Sequence, residues 1–298
     1  MTEIITKLKS ALASADCILI GAGAGLSAAA GYDYAGARFL KYFSDFHTRF
    51  GIEDIYSGGF YPFPLREIFW AWWSRSIWIN RYAPMPASDV YPNLLRIVEG
   101  RDYFVLTTNV DHAFQRAGFD KVRLFYTQGD FGLFQSSRPA GASVGKTYDN
   151  KESVRAMLTA QGFAFEEDGT LLLPTDGAPA MTIPSDLIPY CPDDAAEMAT
   201  NLRADTSFVE DAGWHAAAAQ YTDYLTHTEG RRTLLLELGV GMNTPGIIKY
   251  PFWRMTAERA DVTFATVNLG RGYVPPEIAP RSMIINGDIS KILRELIS

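Results

Sequence analysis

The chain has 298 residues, 47% hydrophobic, 13% aromatic and 20% charged, which is enough apolar material for a large core and more than one compact unit. Lys and Arg number 27 against 34 Asp and Glu, a formal net charge of −7, so neither a general nucleic-acid surface nor an anionic-membrane surface is favoured. Only Cys17 and Cys191 carry thiols, which indicates no disulfide framework and leads to the expectation of a cytoplasmic protein.

Ile4, Ile5, Leu8, Ala11, Leu12 and Ala15 follow helical spacing, and Glu3 and Asp16 interrupt any signal-like apolar region, so the first element is an amphipathic helix. Cys17-Ile18-Leu19-Ile20 is a short β-forming run that passes through Gly21 and Ala22 into Gly23-Ala24-Gly25-Leu26-Ser27-Ala28. That order reads as strand, turn and helix, with the G-x-G-x-x-G/A spacing of a dinucleotide loop, and its natural guest is a pyrophosphate on the helix amides. A turn made small for packing alone is the competing reading. An ordinary dehydrogenase unit continues with a full helix, a second strand and a ribose-binding acid about twenty positions on. Here Gly31 cuts the helix short, and 39–60 is aromatic and charged with no β-branched run.

Aromatics crowd the stretch from Phe39 to Trp78, and Phe69, Trp70, Trp73 and Ile77 share one helical face. They form the core of a small insert or a lid over a ligand, two compatible readings. Ser57-Gly58-Gly59 suggests a hinge. Asn93 to Val98 has helical spacing, and Tyr103-Phe104-Val105-Leu106 is a second buried strand that runs into Thr107-Thr108-Asn109-Val110-Asp111. Polar residues at such a strand end sit where open α/β sheets bind ligands. Capping of the helix expected over 112–117 accounts for one of Asn109 and Asp111 and leaves the other over. Leu124-Phe125-Tyr126-Thr127-Gln128-Gly129 reads as a strand ending at a glycine, and the proline-rich stretch from Phe131 to Gly230 reads as a separate small module. Buried strands come next at 233–238 and 262–267, and Met283-Ile284-Ile285 leads through Gly287-Asp288-Ile289 into a final helix.

Gly23-Ala24-Gly25-Leu26-Ser27, then Gly31 and Asp33-Tyr34, resembles the first signature of the sirtuins, GAG-I/L-S followed by G-I-P-D-F-R, although the proline and the arginine directly after the aromatic are absent. Thr107-Thr108-Asn109-Val110-Asp111 resembles the family's T-Q-N-I-D, with Thr108 in place of glutamine. Gln128-Gly129 stands where the family has H-G. The turn Gly239-Val240-Gly241-Met242-Asn243-Thr244-Pro245 takes the place of G-T-S-L, and Asn268 and Asp288-Ile289 fall at the adenosine end. The segments GAGAGLSAAAGY, LTTNVDHAFQRAGFDK and LELGVGMNTPGIIKYPFW are most similar to the macrodomain-linked class M sirtuins, described as protein ADP-ribosyltransferases that act on lipoylated carriers related to the glycine-cleavage H protein.

The resemblance implies an α/β fold: a Rossmann-like parallel sheet built from discontinuous segments at 1–38, 90–130 and 231–298, a helical insert at 39–89, and a small module at 131–230 without the usual zinc site. Ser136 and Ala140 stand near the first expected cysteine pair, and Cys191 alone remains of the second. It implies NAD as cofactor, a protein acceptor, and a macrodomain partner, with no nucleic acid and no membrane. Residue by residue, Ala22, Gly23, Ala24, Gly25 and Ser27 cradle the phosphates, with the turn of Gly239, Val240, Gly241 and Asn243. Asn268, Asp288 and Ile289 hold the adenosine. Thr108, Asn109 and Asp111 place the nicotinamide ribose and carboxamide; Tyr34 shields C1′, beside Asp33. Gln128 binds the ribose hydroxyls, and Arg203 contacts acceptor or pyrophosphate or is simply structural. A glutamine amide cannot take a proton at neutral pH, so the base that deacylation needs is missing, at a cost of about two to four powers of ten in rate. A deacylase with another base and a non-catalytic NAD- or ADP-ribose-sensing module remain the alternatives.

Overall fold

The computed structural model describes residues 2–243, 245–270 and 272–298. In chain order the elements are α1 (Thr2–Ser14), β1 (Cys17–Ala22), α2 (Ala24–Ala29), α3 (Gly36–Phe50), α4 (Ile55–Gly59), α5 (Arg66–Ile77), which runs on into a π-helical turn (Trp78–Tyr82), α6 (Val90–Val98), β2 (Tyr103–Thr107) and α7 (Ala113–Arg116). Then come β3 (Leu124–Tyr126), β4 (Gly129–Ser136), β5 (Tyr148–Asp149), α8 (Lys151–Ala160), β6 (Ala164–Phe165), β7 (Leu171–Leu172), β8 (Met198–Leu202) and α9 (Ala212–His227). The chain closes with β9 (Thr233–Leu238), α10 (Lys249–Glu258), β10 (Val262–Asn268), β11 (Ser282–Asn286) and α11 (Ile289–Ile297). They divide into two compact units, 1–31, 87–128 and 213–298 in the first, and 32–86 and 129–212 in the second.

The first unit is built on a six-stranded sheet in the order β11-β10-β9-β1-β2-β3, with every neighbouring pair parallel. The strands are apolar without alternation because helices cover both faces of such a sheet, and β1, β2 and β9 are buried at every position. Counted from β3 the order is the doubly wound one, and it reverses between β1 and β9, the switch point outside which these sheets bind ligands. On one face Cys17, Leu19, Phe104, Leu106, Phe125, Leu235 and Phe264 pack with Ile248 just ahead of α10, with Phe252 of α10, and with Ala217, Tyr224, Trp214, Tyr221 and Leu225 of α9. Gly21 has to be glycine there, since a Cβ would lie 2.5 Å from Ile248 Cγ2 and 2.7 Å from the Phe252 ring. Glu237 faces the same layer, fully buried, with Lys249 Nζ at 2.5 Å and Thr266 Oγ1 at 2.7 Å from its Oε1.

The second unit joins two stretches that the sequence reading keeps apart, the aromatic insert and the small module. Arg75, fully buried in α5, shows why. Its guanidinium donates to Tyr42 O and Asp45 Oδ1 of α3, to Gln161 Oε1 after α8 and to Ala180 O, at 2.8 to 2.9 Å, and lies against the rings of Phe46 and Phe163. A buried cation needs that many acceptors, and they come from both stretches. The rings do the same: Trp70 meets Phe134 at 5.0 Å, and Trp78 meets Phe165 at 4.5 Å. Trp70, Trp72, Trp78, Phe39, Phe43 and Phe46 are fully buried core. The helical face expected from Phe69, Trp70, Trp73 and Ile77 is displaced, because α5 is buried nearly all round and Trp72 is its central ring. Ser57-Gly58-Gly59 is not a hinge: it lies in α4, capped by Asp54 through Ser57 N at 2.8 Å, and a Cβ on Gly58 would sit 2.0 Å from Trp72. At the other end the expected module extends too far, since α9 lays its aromatic face on the sheet of the first unit.

Candidate active site

β1 ends at Ala22, and two contacts fix the glycine loop beyond it. Gly23 N donates to Leu238 O at 3.0 Å and Gly25 N to Gly239 O at 2.9 Å, so the loop is stitched to the end of β9 across the switch point. A Cβ on Gly23 would lie 2.8 Å from Gly239 O, one on Gly25 2.7 Å from Gly239 Cα, and one on Gly239, whose φ is +63°, 2.3 Å from Leu26 N. The packing reading of these glycines is therefore sufficient for Gly23, Gly25 and Gly239. Gly241, by contrast, meets nothing within 4 Å. Of the amides opening α2, Gly25 N and Leu26 N are engaged by Gly239 O and Gly23 O.

Beneath the loop lies a buried polar knot. Ser27 Oγ is 2.5 Å from Asp111 Oδ2, 3.0 Å from Asn109 Nδ2 and 3.0 Å from Tyr91 OH. A hydroxyl has one hydrogen and two lone pairs. With the hydrogen given to the carboxylate, Asn109 and Tyr91 are the donors and Ser27 is saturated. Its hydroxyl then has nothing to offer a phosphate, which corrects the expectation for that side chain: Ser27 organises the knot. Asn109 spends the other hydrogen of Nδ2 on Gly23 O at 3.0 Å, which leaves Oδ1 as the acceptor it can present to a ligand. Asp111 also takes Ala113 N at 2.9 Å at the start of α7, so capping accounts for Asp111 and not for Asn109. Tyr91, 1% exposed and edge-on to Phe114 at 5.0 Å, was not legible as part of this group. It stands in the first turn of α6, and the only sequence signal was a tyrosine that must find a hydroxyl partner if buried.

Beside β2, Thr127 closes β3 through its N and Oγ1 on Thr107 O, at 3.0 and 3.2 Å, and Gln128 comes next. Gln128 Oε1 is buried with no hydrogen-bond partner among the described residues. An unmet buried acceptor costs about 1–3 kcal/mol, and the ribose hydroxyls of NAD are donors that would satisfy it and Asn109 Oδ1. On this observation the residues present fit the cofactor. At the far strand ends Asn268 ties β10 to β9 through Nδ2 on Val240 O at 3.1 Å. Exposed Asp288 caps α11 through Lys291 N at 3.2 Å. Ile289 is 4% exposed, so its side chain belongs to the core. Ala22 O is taken by Thr108 N and Thr107 Oγ1, Val240 is buried, Asn243 is exposed, and Thr244 lies outside the described residues.

Asp33, Tyr34 and Arg203 belong to the second unit. Arg203, just beyond β8, pairs with Glu210 and lies 4.7 Å from the Phe208 ring. Near Cys191 the second unit carries a hydrogen-bonded clasp. Cys191 Sγ donates to Tyr148 OH at 3.3 Å, Tyr148 to Asp193 Oδ2 at 2.8 Å, Lys146 pairs with Asp193 at 2.7 Å, and Ser143 donates to Asp194. The Ser143 and Ser136 hydroxyls hold the Asp194 carboxyl well below the usual range. Among the described residues the one group of three metal-capable donors is Cys17, Asp102 and His227 in the first unit. Burial, reinforced by Asp102, pushes the Cys17 thiol up to about 11, and the Arg231 guanidinium, 3.0 Å from Asp102 Oδ2, already lies against His227 Nε2. A zinc ion there would meet a protonated thiol and a fixed cation. Elemental analysis of the purified chain is expected to find no stoichiometric zinc, and about one zinc per chain would overturn this.

No protein-family model matches the chain. It is 35% identical over 287 residues to a protein ADP-ribosyltransferase of Staphylococcus aureus, spanning 96% of this chain and 84% of that one. It is 28% identical over 294 residues to a probable bifunctional ADP-ribose hydrolase/ADP-ribosyltransferase of Fusarium oxysporum, 95% of this chain and 46% of that one. Among solved structures it is similar to Sir2Tm bound to a propionylated peptide, with TM-score 0.59, 15% identity and 98% and 97% of the two chains covered. It is also similar to a Sir2 homologue in complex with NAD, with TM-score 0.54, 13% identity and coverage of 98% and 92%.

Proposed function

The chain belongs to the sirtuin-type, NAD-dependent protein ADP-ribosyltransferases, and from that premise we propose that its acceptor is a lipoylated carrier protein of the glycine-cleavage-H kind, modified in the cytoplasm. Bound NAD supplies the ADP-ribosyl group: the C1′–N bond breaks, nicotinamide leaves with the bonding pair, and an acceptor nucleophile bonds to C1′ and gives up its proton. The chain's own residues bind, orient and exclude water. Asn109 Oδ1 and Gln128 Oε1 accept from the ribose hydroxyls or the carboxamide, Asp111 and Ser27 hold Asn109 in place, and by the resemblance Tyr34 takes the part of the aromatic that shields C1′, with Asp33 as the neighbouring acid. Gly241 and Asn243 offer open main chain and side chain to the phosphate end.

The observation that carries transfer over deacylation is the amide oxygen of Gln128, buried without a partner among the described residues, which can orient a hydroxyl but cannot deprotonate it. The name of the Fusarium relative joins an ADP-ribose hydrolase to a transferase, which supports an ADP-ribose-hydrolysing macrodomain protein as partner here. The test is product analysis by mass spectrometry with NAD, an acyl-lysine peptide, and the carrier with and without lipoyl. Modification of the lipoylated carrier alone is expected; rapid O-acyl-ADP-ribose with an untouched carrier would replace this reading with the deacylase. Gln128→Ala should slow transfer by up to about tenfold, the loss of one neutral hydrogen bond of roughly 0.5–1.5 kcal/mol. Gln128→His should gain little deacylation, since a base alone does not create an acyl-lysine channel.

A further inference from the structure

In the second unit the segment carrying Asp33 and Tyr34 is held by a side chain that no family motif supplies. Arg38, in the first turn of α3, folds back over it: Nη1 donates to Asp33 O at 3.1 Å, Nη2 to Ile79 O at 2.8 Å and Asn80 Oδ1 at 2.9 Å, and the guanidinium lies 5.6 Å from the centre of the Tyr32 ring. Both distal acceptors are themselves fixed. Ile79 and Asn80 sit in the π-helical turn, where Ala83 N, the α-helical partner of Ile79 O, goes instead to Trp78 O at 2.9 Å. The residue one further on, Pro84, has no N–H. Ile79 O is thus left without a partner in the helix, and Arg38 Nη2 satisfies it. Asn80 is fully buried and anchored through Nδ2 on Ser76 O at 2.9 Å. From the opposite direction Ile55 N donates to Tyr34 O at 2.8 Å. The segment is therefore suspended between Arg38 and the start of α4.

We propose that Arg38 is a positioning residue for the transfer reaction: through Asp33 O and the Tyr32 ring it fixes the main chain that carries Tyr34 and Asp33, the residues to which the proposed function gives the shielding of C1′ from water. This rests on the role of Tyr34 in the proposed function. A planar fork with several donors makes these bonds at once, and a lysine, one ammonium on a flexible stem, cannot keep all of them. Loss of the anchor lets the segment open, and water then takes the place of the acceptor: it bonds to C1′, loses a proton, and free ADP-ribose leaves.

The test uses the full chain as parent, Arg38→Lys, Arg38→Met and, for comparison, Tyr34→Ala. First, amide hydrogen exchange of the peptide covering 31–36 is followed without NAD. Both Arg38 variants should exchange there at least about tenfold faster, the signature of a local opening, while the chain stays folded with a melting temperature lowered by no more than about 2–12 °C; unchanged exchange would overturn the proposal. Should Arg38→Met fail to fold, Arg38→Lys carries the test. Second, the ratio of free to transferred ADP-ribose is measured, and it should rise about tenfold in both variants and in Tyr34→Ala. Faster exchange with an unchanged ratio, while Tyr34→Ala shifts it, would reduce Arg38 to a structural anchor and overturn the proposal. An unchanged ratio in Tyr34→Ala would instead sink the premise, and the positioning role with it.

Discussion

Asn109→Ala transfers ADP-ribose at least about 10²-fold more slowly than the parent chain, the scale of a reacting centre misplaced by roughly an ångström, while the fold survives. The geometry sets both halves of this result. Asn109 Nδ2 is the shared donor to Gly23 O and Ser27 Oγ, so its removal takes away one tie between the glycine loop and the segment after β2 and deletes the ligand acceptor Oδ1 in one step. The strands keep their partners, and the two lost hydrogen bonds are worth only about 1–3 kcal/mol together. Asn109→Asp should be no better: it keeps an acceptor but loses the donor, and it sets a second carboxylate beside the Asp111–Ser27 pair. Nicotinamide release and thermal melting, measured on the same preparations, decide the matter. Near-parent turnover in Asn109→Ala would remove Asn109 from the site.

Lys249→Met destabilises the sheet-bearing unit by about 3–5 kcal/mol, because it strands a carboxylate that is wholly enclosed. Glu237 has no exposed surface, its Oε1 is shared between Lys249 and Thr266, and its Oε2 has no partner among the described residues, so no second cation there is placed to compensate. At roughly 2–4 °C per kcal/mol the melting transition should fall by about 6–20 °C. Restoring charge balance by deletion should rescue it: Glu237→Leu/Lys249→Met/Thr266→Val replaces the whole polar group with apolar side chains and is expected to melt near the parent temperature. If the single variant melts like the parent, the pair carries no stability. If the triple stays as low as the single, the loss comes from packing and not from charge.

Legibility in the sequence came from burial on two faces. A strand covered by helices on both sides is a continuous apolar run, so 17–20, 103–106, 233–238 and 262–267 announced themselves, and the glycines after 17–20 and 233–238 marked turns there. Asn109 stood out as a candidate because capping one helix accounts for only one of Asn109 and Asp111, and Gln128 because it stands where the sirtuin signature has its histidine. Arg75 and Arg38 were not, since a buried arginine is spelled like a surface one, and only the carbonyls that converge on it reveal which it is. For the same reason the insert and the small module looked separable: the guanidinium that joins them gives no periodic signal. The face of α9 did give one, with Trp214, Tyr221, Tyr224 and Leu225 at helical spacing, which marks it as a helix packed on a sheet. Tyr91 shows the remaining limit, because a single hydroxyl ahead of the helical run at 93–98 becomes informative only once Ser27 is seen beside it.

The central position of β1 has a consequence for how the protein is made. Its partner β2 begins at Tyr103, but its other partner, β9, pairs Thr233 with Cys17 across 216 residues of chain. At about 5–20 residues per second of synthesis, the apolar edge of Cys17-Ile18-Leu19-Ile20 waits roughly 10–40 s for that strand to emerge. A sheet closed by so distant a pairing folds slowly, and its most hydrophobic edge is the one left open to other chains in the meantime. A ribosome that stalls anywhere before Thr233 leaves a nascent chain whose central strand stays unsealed, so the yield of this protein should depend on chaperones that cover strand edges more than on the stability of the finished fold.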